Sequence, residues 1–307
     1  MSQRKLIVVT PSGRERHLRL LSHYILGSPD VAEWQLWDNC RSESDRAYLG
    51  RLAASDPRCA IKRLPGADGG FSIIGDFFRY CDDPDAFYLR LDDDIVYVED
   101  GFFARFVERA ERARGAPIWF APLIINNAVC SSLIQNLSRV IIEGPVTCQA
   151  MCPYSWRYPN LAEVLHPVFI EAVEQDRLDA FRVPDRDVRL SRFSINALGF
   201  FGSEKLALGD LFCPPGNATE EEWLSAILPA RLDRPGRILG DLVVSHFSFY
   251  TQERRLLEAG ILESYYELAG IVPPAYSLPP RPRGVVSLAK RLLKREDKGP
   301  GYRVRLP

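Results

Sequence analysis

Apolar runs that each stop at a polar turn, followed by apolar residues at helical spacing, fill the first hundred residues and restrict the fold more than any other feature. "LIVV" at 6–9 halts at Thr10-Pro11-Ser12-Gly13, and Leu18, Leu21 and Ile25 then recur at helical intervals. "EWQLWDNC" is a second short strand ending in Asp38-Asn39; the polar helix "SESDRAYLGRLAAS" follows, then a third strand, "CAIKRL". A glycine loop, "GADGGFSIIGDFFRYC", feeds a helix and leads to a fourth strand, "AFYLRLDDD". Strands alternating with helices in this way make βαβ units. The expectation is an α/β fold, a Rossmann-like, mostly parallel central sheet with helices on both faces.

Ligands of such sheets bind outside the carboxyl ends of the strands. Thr10-Pro11, Asp38-Asn39 and Asp92-Asp93-Asp94 all fall there. The aspartates are the costly element, because neighbouring carboxylates after a buried run repel and desolvate one another unless a positive charge lies among them. Asp92 and Asp94 share a strand face. Their spacing suits a hard divalent cation, Mg²⁺ or Mn²⁺, which takes oxygen ligands and bridges to substrate phosphates. An acidic surface turn is the plainer account of the same residues. Arg90 alternates onto the face of Asp92 and Asp94 and is their candidate ion-pair partner. Arg14 follows the first turn; either arginine is a local positive group for a diphosphate or simply a surface residue.

Bulk properties narrow the function classes. A formal net charge of −1 over 307 residues gives no basic field to hold nucleic acid. The seven cysteines are odd in number and scattered, without a CxxC pair, which points to a reducing compartment and away from a disulfide framework or structural zinc. Cys148 and Cys152 read as core thiols. The N-terminal apolar run is too short for a signal peptide, and no stretch approaches the ~20 apolar residues of a membrane span. A cytoplasmic protein, in contact at most with the inner face of the membrane, is expected.

A first strand ending in a polar turn, a second ending in an acidic residue, and a D-x-D after a later strand together resemble the GT-A fold glycosyltransferases. The resemblance covers roughly residues 4–100 well and is patchier to about 250. It implies a sugar moved from a nucleotide donor, UDP favoured, to a glycan or lipid-linked acceptor in surface polysaccharide synthesis. It implies Asp94 as metal ligand, with Asp92, and Asp93 beside it, near the ribose or sugar. Thr10, Pro11, Asp38 and Asn39 would line the nucleoside pocket, and Gly69, Gly70 and Ser72 would pass near the ribose. His246, after the last core strand, would be a second metal ligand. A carboxylate at the start of an acceptor-side helix, Glu222 or Glu221 in "NATEEEW", would be the base. Thr219 and Glu222 also spell a capping box, which explains Glu222 without chemistry. Asn126, Asn127 and Asn196 suit sugar hydroxyls or, equally, loop capping. His17, His23 and His166 read as structural.

The organisation expected is a transferase domain over 1–270, with a nucleotide half to 100 and an acceptor half beyond it. A proline-rich linker, 271–284, then leads to a basic amphipathic tail, 285–307, suited to an anionic membrane surface or to a partner chain. Two alternatives stay open. Asp92-x-Asp94-x-Val96 also spells the D-x-D-x-V of haloacid-dehalogenase-type phosphohydrolases, with Asp92 as nucleophile and Asp94 as acid/base. That family usually carries the motif on its first strand, and here three strands precede it. The other alternative is a catalytically silent nucleotide-sugar-binding module.

Overall fold

A computed structural model describes residues 4–65, 70, 73–189, 192–213, 219–279 and 299–307. Its strands are β1 (Lys5–Ser12), β2 (Val31–Asp38), β3 (Cys59–Lys62), β4 (Ala86–Leu91), β5 (Ile95–Val98), β6 (Trp119–Ile125), β7 (Ile141–Glu143), β8 (Arg186–Val188), β9 (Ala197–Phe201), β10 (Gly236–His246) and β11 (Arg303–Arg305). Among the described residues, the main sheet runs β3-β2-β1-β4-β9-β6-β10-β5, with β8 on the outer part of β10. Strands β1, β2, β3, β4, β6 and β10 point one way, and β9, β5 and β8 run against them.

The expected βαβ units account for the first half. β1 pairs in parallel with β2 (Val8↔Trp34, Ser12↔Asp38) and with β4 (Val8↔Leu89), and β2 with β3. The first helix, Glu15–Gly27, turns Leu18, Leu21 and Ile25 into the core. The second, Glu43–Ser55, starts at Ser42, whose hydroxyl accepts the Asp45 amide at 3.1 Å. β4 and β6 are buried at every position, so other layers cover both faces of the sheet.

Two features differ from the expectation. β9 inserts antiparallel between β4 and β6, and Gly199 lets it in: a Cβ there would meet the Phe106 and Phe87 rings at 2.6 Å. The aspartate triplet, expected at the end of a strand, is the connection from β4 to β5. Ile95 N–H donates to Asp92 O at 3.2 Å and closes the turn. The turn meets the head of β9, where Asp92 N–H donates to Asn196 O at 2.8 Å, and the end of β10, where Phe247 N–H donates to Asp94 O at 2.8 Å. The fold thus hangs the triplet over the carboxyl ends of its central strands.

The expected tail is also revised in part. Residues 299–307 return to the domain, and β11 pairs antiparallel with β7, Val304 opposite Ile142. The Tyr302 hydroxyl donates to Pro145 O at 2.8 Å. The proposed amphipathic stretch, 285–296, lies outside the described residues.

Two glycines test the packing. A Cβ on buried Gly240 would lie 2.2 Å from the Val183 carbonyl oxygen, whereas one on Gly50, in the second helix, meets open space. Gly240→Ala is expected to cost about 1–3 kcal/mol through overpacking, and Gly50→Ala to gain about 0.5–1 kcal/mol from helix propensity. Thermal midpoints moving in opposite directions would bear this out; a neutral Gly240→Ala would contradict the close approach of the two segments.

Candidate functional site

Asp92, Asp94 and His246 come together where β4 and β10 end. A carboxylate oxygen from each aspartate and a ring nitrogen of the histidine all lie within 4.8 Å of one another. His246 Nε2 is 3.6 Å from Asp94 Oδ1, and both side chains are buried. His246 Nδ1 is 3.3 Å from the Asn126 carbonyl. A ring N–H donated there leaves the Nε2 lone pair facing the carboxylates, the arrangement by which an outer partner fixes a ligating imidazole. Two hard oxygen donors and one imidazole, preset in this way, fit Mn²⁺ or Mg²⁺.

Arginines stabilise the cluster. Arg14 binds Asp93 through Nε at 3.1 Å and through a second, shorter contact, and its Nη2 is 3.0 Å from Asp94 Oδ2. The Gly13 amide donates to Asp93 Oδ2 at 3.0 Å. On the other side, Arg90 Nη1 is 2.8 Å from Asp92 Oδ1, and Nε is 2.8 Å from Glu220 Oε1. Arg90 was expected as ion-pair partner and is one. Burial opposes its charge, yet Asp92 and Glu220 raise its pKa above the ordinary arginine value. Burial pushes the Asp94 carboxyl up, against the pull of Arg14 and His246. Both arginines are therefore engaged with carboxylates and hold the aspartates in place.

The three asparagines form the frame. Asn196 Nδ2 donates to Asp92 Oδ2 at 3.0 Å, and its Oδ1 accepts from Asn127 Nδ2 at 3.1 Å. Asn127 Oδ1 caps the helix Ala128–Leu137 by accepting the Cys130 amide at 3.2 Å. Asn126, at φ 61°, donates from Nδ2 to Phe247 O and to Gln252 Oε1. All three are buried. Their amide hydrogens go to protein partners, so they support Asp92 and His246, and Asn127 is a helix cap, the alternative to a sugar contact.

Other expected residues divide. Asp38 ends β2 with Arg63 Nε at 3.0 Å and Arg46 Nε at 3.4 Å; burial works against its charge, but Arg63 and the Cys40 amide hold its carboxyl below the usual range. Asn39 Nδ2 donates to Gly70 O at 3.3 Å, tying β2's end to the glycine loop. Thr10 is fully buried, and its hydroxyl accepts the Trp34 indole N–H at 2.9 Å, so it braces the end of β1. Pro11 is buried within β1 opposite Trp37. Gly69 and Ser72 lie outside the described residues.

In the acidic run, Thr219 caps the helix as expected, accepting the Glu222 amide at 3.4 Å. Glu221 contacts Arg192 Nε at 2.5 Å, and Glu222, half exposed, is 3.7 Å from Arg192 Nη1. Glu220, which the sequence did not single out, is the buried one, on Arg90. An arginine at an interior strand position needs more than one carboxylate, and that was the only signal for it. Glu253 was also missed: it takes Arg14, Arg16 Nη2 at 2.7 Å and His17 Nε2 at 3.0 Å, and so anchors Arg14 from behind.

No protein-family profile matches this chain, and no curated protein does. Solved structures do. Mannosyltransferase PcManGT from Pyrobaculum calidifontis, in complex with GDP-Man and Mn²⁺, aligns with a TM-score of 0.51 at 12% identity over 89% of this chain and 67% of that one. GalNAc-T7 with UDP, GalNAc and Mn²⁺ aligns with a TM-score of 0.47 at 12% identity over 87% of this chain and 48% of that one. Likeness at this identity speaks for fold: the chain has the GT-A architecture, with a D-x-D at the edge of its mixed sheet.

Proposed function

We propose that this chain is a divalent-metal-dependent glycosyltransferase that moves a sugar from a nucleoside diphosphate donor to a hydroxyl of a glycan or lipid-linked acceptor. The observation that carries the reading is the Asp92, Asp94 and His246 cluster, with its imidazole oriented by Asn126, on a GT-A sheet. PcManGT, of like fold, is in complex with GDP-Man and Mn²⁺, which supports both the donor class and the metal. Uridine, favoured from the sequence, and guanosine are the two bases to compare. A cytoplasmic setting and a place in surface polysaccharide synthesis belong to the same proposal.

Asp92, Asp94 and His246 would hold the metal. Bound there, it offsets the negative charge that develops on the departing diphosphate. Arg14 and Arg90 hold the aspartates in place. Asp38 and Asn39, joined to Gly70, form the nucleoside side of the site. Glu222 or Glu221 accepts the proton of the acceptor hydroxyl; Glu222 is the more exposed of the two and the less tightly bound to Arg192.

The test is release of nucleoside diphosphate from UDP- and GDP-sugars, read with Mn²⁺, with chelator, and in His246→Ala. Turnover that requires metal is expected. The metal concentration needed for turnover should rise by more than about 100-fold in the variant, since even partners outside the ligand shell are worth 10–100-fold. Hydrolysis of phosphate monoesters without donor turnover would favour the phosphohydrolase, and nucleotide binding without turnover the silent module.

A further inference from the structure

Two surface segments near the cluster carry grouped aromatic rings. Tyr250, four residues beyond His246, is 65% exposed. Its ring centroid is 6.1 Å from that of Trp156, with 31° between the planes. Phe249 packs edge-on against His246 at 5.0 Å, so the ring pair begins one residue from a side chain that contacts a cluster ligand. Tyr154, 40% exposed, lies 6.4 Å from Tyr158 in the same loop. Tyr250 and Tyr154 are exposed and Trp156 and Tyr158 half-buried; aromatics grouped in this way at a surface mark a binding site.

The pair is held rigidly. Gln252 Nε2 donates to Ser155 O at 2.7 Å and to Tyr158 O at 3.0 Å, while its Oε1 accepts from Asn126 Nδ2 at 3.2 Å and from the Phe249 amide at 3.3 Å. The Thr251 hydroxyl donates to Trp156 O. One buried glutamine therefore joins the Trp156 loop, the Tyr250 loop and the residue whose carbonyl orients His246. Surface rings anchored to the support of a site are preorganised relative to it.

We propose that Trp156 and Tyr250 form a platform on which a pyranose ring of the acceptor stacks beside Asp94 and His246; this rests on the transferase reading. A pyranose presents one face of C–H groups and a rim of hydroxyls. Two flat rings inclined by 31° accept that face and leave the rim to polar groups. The Tyr250 phenol and exposed Arg157, whose guanidinium is 5.7 Å from the Tyr158 ring, suit a polyhydroxylated ligand better than an acyl chain.

The test is saturation-transfer NMR with methyl β-D-galactopyranoside, maltose and mannobiose as probes, on the whole protein with Mn²⁺ and UDP or GDP. Transfer to at least one sugar, strongest at protons of its C–H face, is expected in the wild type. It should weaken about tenfold in Tyr250→Ala and in Trp156→Ala, and persist in Tyr250→Phe, which keeps the ring. No transfer to any probe, or transfer unchanged in both alanine variants, overturns the platform. So does cosedimentation with anionic phosphatidylserine vesicles that the alanine variants lose while sugar contact stays the same. Calorimetric nucleotide binding on the same samples separates the two readings. Nucleotide without sugar sinks only the platform; sugar without nucleotide leaves a carbohydrate-binding surface and sinks the transferase.

Discussion

Replacing Arg90 with methionine is expected to destabilise the fold by about 3–5 kcal/mol, the cost of breaking a buried ion pair from one side. Arg90 is 4% exposed and bonds to three groups at once: Asp92, Glu220 and, through Nη1 at 2.6 Å, the Ile195 carbonyl. Methionine fills much of the volume but leaves the buried Glu220 carboxylate without Arg90, and Asp92, among the described residues, with the Asn196 amide. A loss of this size is a large part of the 5–15 kcal/mol that keeps an ordinary domain folded. Urea unfolding at neutral pH measures it. Adding Glu220→Gln to the methionine variant should recover part of the loss, because the stranded carboxylate is then removed. A single-variant loss under about 1 kcal/mol would mean that the triplet does not depend on Arg90.

Acid should weaken the protein through its buried histidines. His166 is fully buried; Nε2 is 2.9 Å from Phe247 O, and Nδ1 is 2.7 Å from the Tyr265 hydroxyl. Phe247 O offers only lone pairs, so Nε2–H donates to it, and Nδ1 accepts from Tyr265, which fixes a neutral ring. Burial pushes the His166 pKa down to about 3, against about 6.5 for an unfolded histidine. The folded pKa is the lower, so the unfolded chain binds the extra proton. The stability of the neutral ring is complete above about pH 6.5 and declines as pH falls towards 3. Between pH 7.5 and 5.0 this amounts to roughly 2 kcal/mol. His17, lowered by burial in the same direction, adds to the slope, and Glu253, held low through His17, Arg14 and Arg16, does not lose its proton-free form until lower pH. His166→Gln should start less stable and lose less between the two pH values. Equal losses in both proteins would contradict the assignment.

Part of this architecture could be read directly from the residues. β1, β2 and β6 are strong apolar runs closed by polar residues, and the caps at Ser42, Asn127 and Thr219 are local hydrogen bonds that local sequence encodes. Asp92 and Asp94 stood out as carboxylates at a strand end, and His246 was named from the resemblance; the structure brings the three side chains together. What stayed hidden depends on distant packing. "ALGFF" reads as a strand but carries no sign of direction, and only the space that Gly199 leaves for Phe87 and Phe106 shows how it fits between β4 and β6. The run "AFYLRLDDD" reads as a strand ending in aspartates, with no sign that a second strand follows at once. The stretch divides into β4 and β5 because the chain must cross from β4 to the far edge beside β10. Gln252 and Glu253 look like the opening of a surface helix in "TQERRLLE", yet they tie together segments 90–240 residues away. The asparagines illustrate the same limit, since residue type suited a sugar or a loop cap alike, and only the packing shows which protein groups they hold.

Calorimetric titration of the protein with UDP and with GDP, with and without Mn²⁺, repeated on Asp94→Ala, bears most directly on the central claim. The proposed site predicts binding of at least one nucleoside diphosphate only when both Mn²⁺ and the Asp94 carboxylate are present. Binding unchanged in Asp94→Ala, or no binding of either nucleotide with Mn²⁺, would contradict it.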